Sequence, residues 1–281
     1  MSNFDGGQVG FSLSARFDWY QATFADYLYQ ELLKAFEDSF EMKIEHCKGR
    51  TGYRRGEVWK SSGEDRLATL LLGGYGDSEG TFNLQVSSDL CDQVVPILRR
   101  FEHRVSRVDS AIDFYGSWQE WKTVTVDFGK LFNVRRRVIT DSKLGGGTVY
   151  LGSPSSQTQM RLYDKSAELK NKFPERAGEI PEGLIRAELQ VRPAKDVKKQ
   201  ASAWSPADCW AYASKWSRKF ANDVLKVETA EYETRHRQLS IYENALKALG
   251  KQYGGTFARR SLEVGEDQAL EEIFLALTGQ L

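Results

Sequence analysis

Residues 106–116 read SRVDSAIDFYG, and residues 185–192 read IRAELQVR. Both are short apolar runs of strand-forming residues with charges set inside them. Side chains alternate along a strand. Arg107, Asp109 and Asp113 therefore share one face of the first run, and Arg186, Glu188, Gln190 and Arg192 share one face of the second. Carboxylates inside apolar strands are unfavourable unless they are paired or bound to a cation. The fold depends on how these two strands are related.

Each strand closes a similar series. LATLLLGG (67–74) and TFNLQVSS (81–88) flank the turn YGDSEG and read as a hairpin. A helix with Val94, Val95, Ile97 and Leu98 follows, with Asp89 as its expected N-cap. GGGTVYLGS (145–153) and TQMRLYDK (158–165) form a second expected hairpin, turning at Pro154–Gln157. A short helix, Lys165–Lys172, then stops before Pro174. An offset of 79 residues carries Gly73 onto Gly152, and the same offset carries Asp109 onto Glu188. The expected fold is α+β: an antiparallel sheet of two pseudo-repeated ββαβ units, about 67–116 and 146–193, with a helical C-terminal region. Asp109 and Glu188 become equivalent acids on central strands. The position matching Tyr163 in the first half is Leu84, so only the second half carries a tyrosine there.

Around this centre, residues 11–25 suggest an opening strand, and 26–40 a helix with the stripe Leu28, Leu32, Leu33 and Phe36. Strands are expected near Met42–Glu45 and Arg54–Trp59, and 118–132 is of mixed character. From Pro206 onward the chain reads as helical. Trp210, Ala213, Trp216, Phe220 and Val224 form one stripe over 206–226, and later helices cover roughly 228–250 and 266–278. The expected division is a catalytic domain over 1–204 and a helical region over 205–281 packed on it.

The chain has 281 residues, 41% of them hydrophobic and 28% charged, which suits a folded globular protein. It has no run of about 18 apolar residues, and Met1–Arg16 lacks the apolar core of a signal peptide, so a cytoplasmic location without membrane contact is expected. The scattered Cys47, Cys91 and Cys209 imply neither a disulfide framework nor a zinc site. Basic and acidic residues balance at 39 each, so contact with a polyanion must come from local clusters. Such clusters lie at Lys48, Arg50, Arg54, Arg55 and Lys60, at Arg135–Arg137, and at Lys195, Lys198 and Lys199. Lys215, Arg218 and Lys219 are further phosphate-contact candidates on the 206–226 helix.

In TQMRLYDKSAEL (158–169), Arg161, Tyr163 and Lys165 share one strand face. Taken alone, these residues fit a solvated strand as well as a phosphate-handling nucleophile. Asp109, Asp113 and Glu188 fit either arginine ion pairs or a hard divalent cation held by oxygens. Asp109 and Asp113 stand about 13 Å apart along an extended strand, so Asp109 with Glu188 is the better pair. The histidines His46, His103 and His236 are too dispersed for a two-histidine motif, and no phosphate-binding GxxxxGK[ST] loop is present. A tyrosine, cations and carboxylates remain. Cations favour the phenolate and stabilise a phosphoryl transition state, and a metal ion polarises the scissile phosphate. The combination suits phosphodiester transesterification.

These stretches resemble the replication initiation factor family of rolling-circle plasmids and filamentous phages. The resemblance runs from FDWYQATF through GTFNLQVSS, RVDSAIDF, VYLGS, MRLYDKSAEL and IRAELQVRP to WSPADCWAYASKW, roughly residues 17–220. It implies origin-specific nicking of one DNA strand through a 5′-phosphotyrosine, priming from the freed 3′ hydroxyl, and later rejoining. The family's R-[ILM]-Y-[ND]-K motif falls on Arg161–Lys165, making Tyr163 the implied nucleophile and Tyr150 the reserve. Arg107, Asp109 and Asp113 match RxDxxxD, and Arg186 and Glu188 match the R-x-E strand. Implied partners are Mg²⁺ or Mn²⁺, origin DNA, a host helicase and polymerase, and a second copy of the chain. A conjugative relaxase and a non-catalytic origin-binding regulator are the alternative readings.

Overall fold

The computed structural model describes residues 14–63, 65–140, 146–227 and 241–278. Residues 11–13 of the expected opening strand, Gly145, and the 228–240 part of the expected helix, with His236, lie outside them. The described strands are β1 (Ala15–Ala25), β2 (Met42–Lys48), β3 (Tyr53–Ser61), β4 (Arg66–Gly74), β5 (Thr81–Ser87), β6 (Arg104–Tyr115), β7 (Arg136–Thr140), β8 (Gly147–Leu151), β9 (Thr158–Asp164) and β10 (Leu184–Val191). They form one sheet in the order β2-β3-β4-β5-β1-β6-β10-β9-β8-β7, and every pairing among them is antiparallel. The helices are α1 (Tyr29–Glu37), α2 (Leu90–Leu98), α3 (Trp118–Leu131), α4 (Lys165–Lys172), α5 (Pro206–Ala213), α6 (Lys215–Lys219), α7 (Ile241–Val264) and α8 (Glu266–Thr278). The α+β architecture read from the sequence is the one observed.

Both halves keep the order hairpin, helix, strand: β4-β5-α2-β6 and β8-β9-α4-β10. The 79-residue offset carries Ser110 onto Leu189, and these two residues are paired across β6 and β10. Gly73 and Gly152 both adopt positive φ, +65° and +91°, which a side chain would strain. In space the halves differ. β9 pairs directly with β10, whereas β1 is inserted between β5 and β6. A local sequence pattern contains nothing that announces such an insertion.

One face of the sheet is apolar. Tyr20, Leu84, Val108, Ile112, Leu162, Ile185 and Leu189 are buried in a single core with residues of α1, α2, α3 and α5. Phe36 of α1 meets Trp59 edge-on at 4.9 Å, and Phe128 of α3 meets Phe220 at 5.0 Å. Ser110 is the polar joint under α5: its Oγ donates to the Pro206 carbonyl (2.8 Å) and accepts from Trp210 Nε1 (3.0 Å).

Three local expectations are corrected. The 206–226 helix breaks at Ser214, whose extended backbone caps α6 through a reciprocal bond with Ser217. The Trp210–Val224 stripe therefore does not run along one helix. Asp89 occupies the N-cap position of α2, but its carboxylate bonds Arg16 instead of the helix N–H groups. The mixed stretch after Trp118 is α3, and Arg136 and Arg137 of the basic cluster lie on edge strand β7. The chain divides into the compact units Met1–Tyr232 and Glu233–Leu281, later than the 204/205 boundary expected from the sequence. α5 and α6 fall with the sheet because Cys209, Trp210 and Ser217 are buried there. In the second unit, Arg260 of α7 holds both carboxylate oxygens of Glu272 on α8 (2.8 and 2.9 Å). Among the described residues no helix is long and apolar enough to cross a membrane.

Trp210 is completely buried and hydrogen-bonded. Trp210→Ala is expected to lower unfolding free energy by about 3–5 kcal/mol, through a cavity and the lost hydrogen bond to Ser110 Oγ. Urea denaturation measures it, and a loss below about 1 kcal/mol would contradict this placement of α5.

Candidate active site

Residues directly opposite one another in an antiparallel pair share a face. The register therefore assembles the other face of the sheet. Asp113 lies opposite Arg186, which lies opposite Tyr163, and Glu188 lies opposite Arg161. Beyond them Tyr150 lies opposite Arg161, and Thr148 opposite Tyr163. On the other side, Asp109 lies opposite Trp19. Asp18 joins this row because a register irregularity between Phe17 and Trp19 disturbs the alternation of β1.

The charges on this face are interlocked. Arg186, only 7% exposed, donates from Nε and Nη2 to Asp113 (2.6 and 2.7 Å) and from Nη1 to Asp18 (3.1 Å). Arg107 grips both oxygens of Asp109, with its Nε at 2.8 Å, and lies over the Trp19 ring. Arg161 bonds Glu188 Oε1, and Lys165 bonds Glu168. Arg16 reaches Asp113 at 3.2 Å. Arginine suits these sites because its planar fork matches a carboxylate.

Tyr163 is half-buried at this junction, with the Arg161 guanidinium and the Lys165 ammonium each 5.7 Å from its ring centre. The sequence suggests that these cations favour the phenolate. The structure gives the opposite balance at rest. Burial, then the negative charge of Glu188, raises the phenol pKa, outweighing Arg186 and Arg161. The cations are already committed to carboxylates, which limits their help. Burial likewise raises Glu188 to about 7 against the pull of Arg161. Its Oε2 is buried and has no hydrogen-bond partner.

This arrangement does not fit a preformed divalent-cation site. Both oxygens of Asp109 and of Asp113 are held by arginines, and Glu188 contributes one remaining oxygen, whereas a hard cation gathers several. Among the described residues no three His, Cys, Asp or Glu side chains cluster as ligands. For these acids the ion-pair reading describes the observed contacts.

The structure brings Arg161, Tyr163, Lys165, Asp109, Asp113, Glu188, Arg107 and Arg186 together on one face. Arg50 also reaches it, bonding Gln85 at 3.0 Å, and Arg54 packs by Gly73. Arg55 alternates to the opposite side of β3, and Lys60 is tied to Glu45 at 2.7 Å. Lys215, Arg218 and Lys219 lie with the helices over the apolar face, where Lys219 pairs with Asp223 and approaches Phe132. Sequence reasoning missed Arg16, Asp18 and Trp19, whose roles follow from the placement of β1 beside β6.

No family model matches the chain, and no curated protein matches it. A solved structure does. It is the rolling circle replication initiator protein from Geobacillus stearothermophilus, similar over 79% of this chain and 100% of that one, with 18% identity and a TM-score of 0.51. The two chains share a fold.

A carboxyl whose pKa is raised on folding stabilises the native state below its unfolded pKa, about 4.3, and loses that contribution as pH rises through its folded value. For Glu188 that window is about 4.3 to 7. The stability of the protein relative to Glu188→Gln is expected to fall across it by on the order of 3 kcal/mol. Chemical denaturation at a series of pH values reads this; a pH-independent difference would contradict it.

Proposed function

We propose that the chain is a rolling-circle replication initiator that cuts and rejoins one strand of origin DNA, with Tyr163 as nucleophile. The carrying observation is the place of Tyr163: it stands beside Arg161, Lys165 and Arg186, on the open polar face of a fold shared with a replication initiator.

In this account the Tyr163 oxygen attacks the scissile phosphorus. An O–P bond to tyrosine forms as the bond to the 3′ oxygen breaks, and that oxygen leaves as a hydroxyl after gaining a proton. The 5′ phosphate stays on Tyr163, and the free 3′ hydroxyl primes synthesis. Attack by a 3′ hydroxyl on the phosphotyrosine reverses the step and rejoins the strand. Tyr163 must lose its proton. Glu188 is close enough to raise the phenol pKa, and its own value near 7 suits a proton acceptor at neutral pH. An incoming phosphate competes with Glu188 and Glu168 for Arg161 and Lys165. The freed cations then stabilise charge on the transferring phosphoryl group. Arg107, Arg50 and Arg54 extend the basic surface along the same face and suit backbone contacts. Arg186 is buried and orients Asp113 and Asp18 instead. No step is assigned to Mg²⁺ or Mn²⁺, because the acids expected to hold it are engaged by arginines.

Supercoiled DNA carrying the origin of the chain's own replicon tests the proposal, with Mg²⁺, Mn²⁺ and EDTA arms. Wild type is expected to yield nicked circles with protein-linked 5′ ends, and Tyr163→Phe to lower the rate by on the order of 10³-fold or more. Undiminished nicking by Tyr163→Phe would move the nucleophile to Tyr150. Origin binding by wild type without nicking would leave a non-catalytic origin-binding regulator.

A further inference from the structure

Beside Tyr163 lies a cavity of about 340 Å³. Its floor is Thr148 and Tyr150 of β8 with Arg161 and Tyr163 of β9, and one wall is α4 with Ala167, Glu168 and Asn171. Gly147 closes the end against β7, where any Cβ would fall 2.5 Å from the Ile139 carbonyl. The volume lies in the range of small-ligand sites and matches a single nucleotide better than a duplex.

The cavity is chemically two-ended. Arg161 lies at the Tyr163 end, where a phosphate belongs. The α4 wall instead carries the carboxylates of Asp164 and Glu168, which repel phosphate and accept hydrogen bonds. Asp164 Oδ1 caps the helix by accepting from Ala167 N at 2.9 Å, and Glu168 Oε2 accepts from Lys165. A carboxylate accepts several hydrogen bonds, so Glu168 keeps capacity for another donor. At the Arg161 end stands the Tyr150 ring, opposite Arg161 across β8 and β9, with the Arg137 guanidinium 4.5 Å from its centre. An aromatic ring, a carboxylate and a neighbouring cationic end are what an unpaired nucleotide offers contacts for: a base face to stack, an amino group to donate and a phosphate to anchor.

We propose that this cavity receives one unpaired base of the DNA strand adjoining the scissile phosphate, and that Glu168 selects bases bearing an exocyclic amino group over thymine. The inference rests on the reading of Tyr163 as the DNA-joining residue. It adds a sequence-reading element to that reaction: carboxylates accept from the cytosine amino group, and thymine presents none.

The test is equilibrium binding of fluorescein-labelled single-stranded dC12 and dT12 to full-length Tyr163→Phe protein, so that strand cutting does not enter the readout. The expected result is roughly fivefold tighter binding of dC12, reduced to less than about twofold by adding Glu168→Ala, which removes the acceptor. Thr148→Phe, which fills the floor, is expected to remove the same preference. Thermal unfolding confirms that each variant is folded. Equal affinity for the two strands, a preference untouched by Glu168→Ala in folded protein, or binding of neither strand would overturn the proposal. Failure here with Tyr163-dependent nicking intact removes the base site alone. A Glu168-dependent preference without nicking removes the nucleophile and leaves a base-reading surface.

Discussion

Three arginine–carboxylate groups tie the middle of the sheet together: Arg107 with Asp109, Arg186 with Asp113 and Asp18, and Arg161 with Glu188. Asp109 and Glu188 are almost completely buried, at 1% and 2% exposure. An ion taken out of water at such depth is tolerated only with a partner, and removing one member strands the other. These groups bridge β1, β6, β10 and β9 and hold the register between them. Tyr163 owes its position to that register, because Arg186 opposite it cannot move without releasing two carboxylates.

The same interlock sets the electrostatics of the site. Among the described residues, Arg161, Lys165 and Arg186 beside Tyr163 each answer to a carboxylate, so the phenol is held protonated by burial and by Glu188. In the proposed reaction such a resting state protects against untimely attack by Tyr163. There an entering phosphate would draw Arg161 and Lys165 toward itself and weaken their hold on Glu188 and Glu168, so that the substrate helps to create the field in which the tyrosine reacts.

Much of this was legible in the sequence because it rests on local periodicity. Alternation in RVDSAIDF and IRAELQVR placed Asp109 and Glu188 on one polar face each, and the paired hairpin, helix and strand series pointed to an antiparallel α+β sheet. MRLYDKSAEL showed Tyr163 between two cations and the helix that follows. The contributions of β1 were hidden, since Arg16 and Asp18 meet Asp113 and Arg186 only through strand order and a local irregularity in register. The pKa of Tyr163 was misjudged for a related reason: a sequence shows neighbouring cations but not the carboxylates that neutralise them. The break at Ser214 was obscured by an apolar stripe that suited one long helix. Lone serines at 214 and 217 give a cap only once the chain turns there.

The central claim is that Tyr163 becomes covalently joined to DNA. The most direct measurement is mass spectrometry of protease-digested protein after reaction with origin DNA and nuclease trimming. The account predicts a peptide containing Tyr163 that carries a nucleotide through a phosphodiester on its phenol oxygen. A nucleotide adduct on any other residue, with the Tyr163 peptide unmodified, would contradict it.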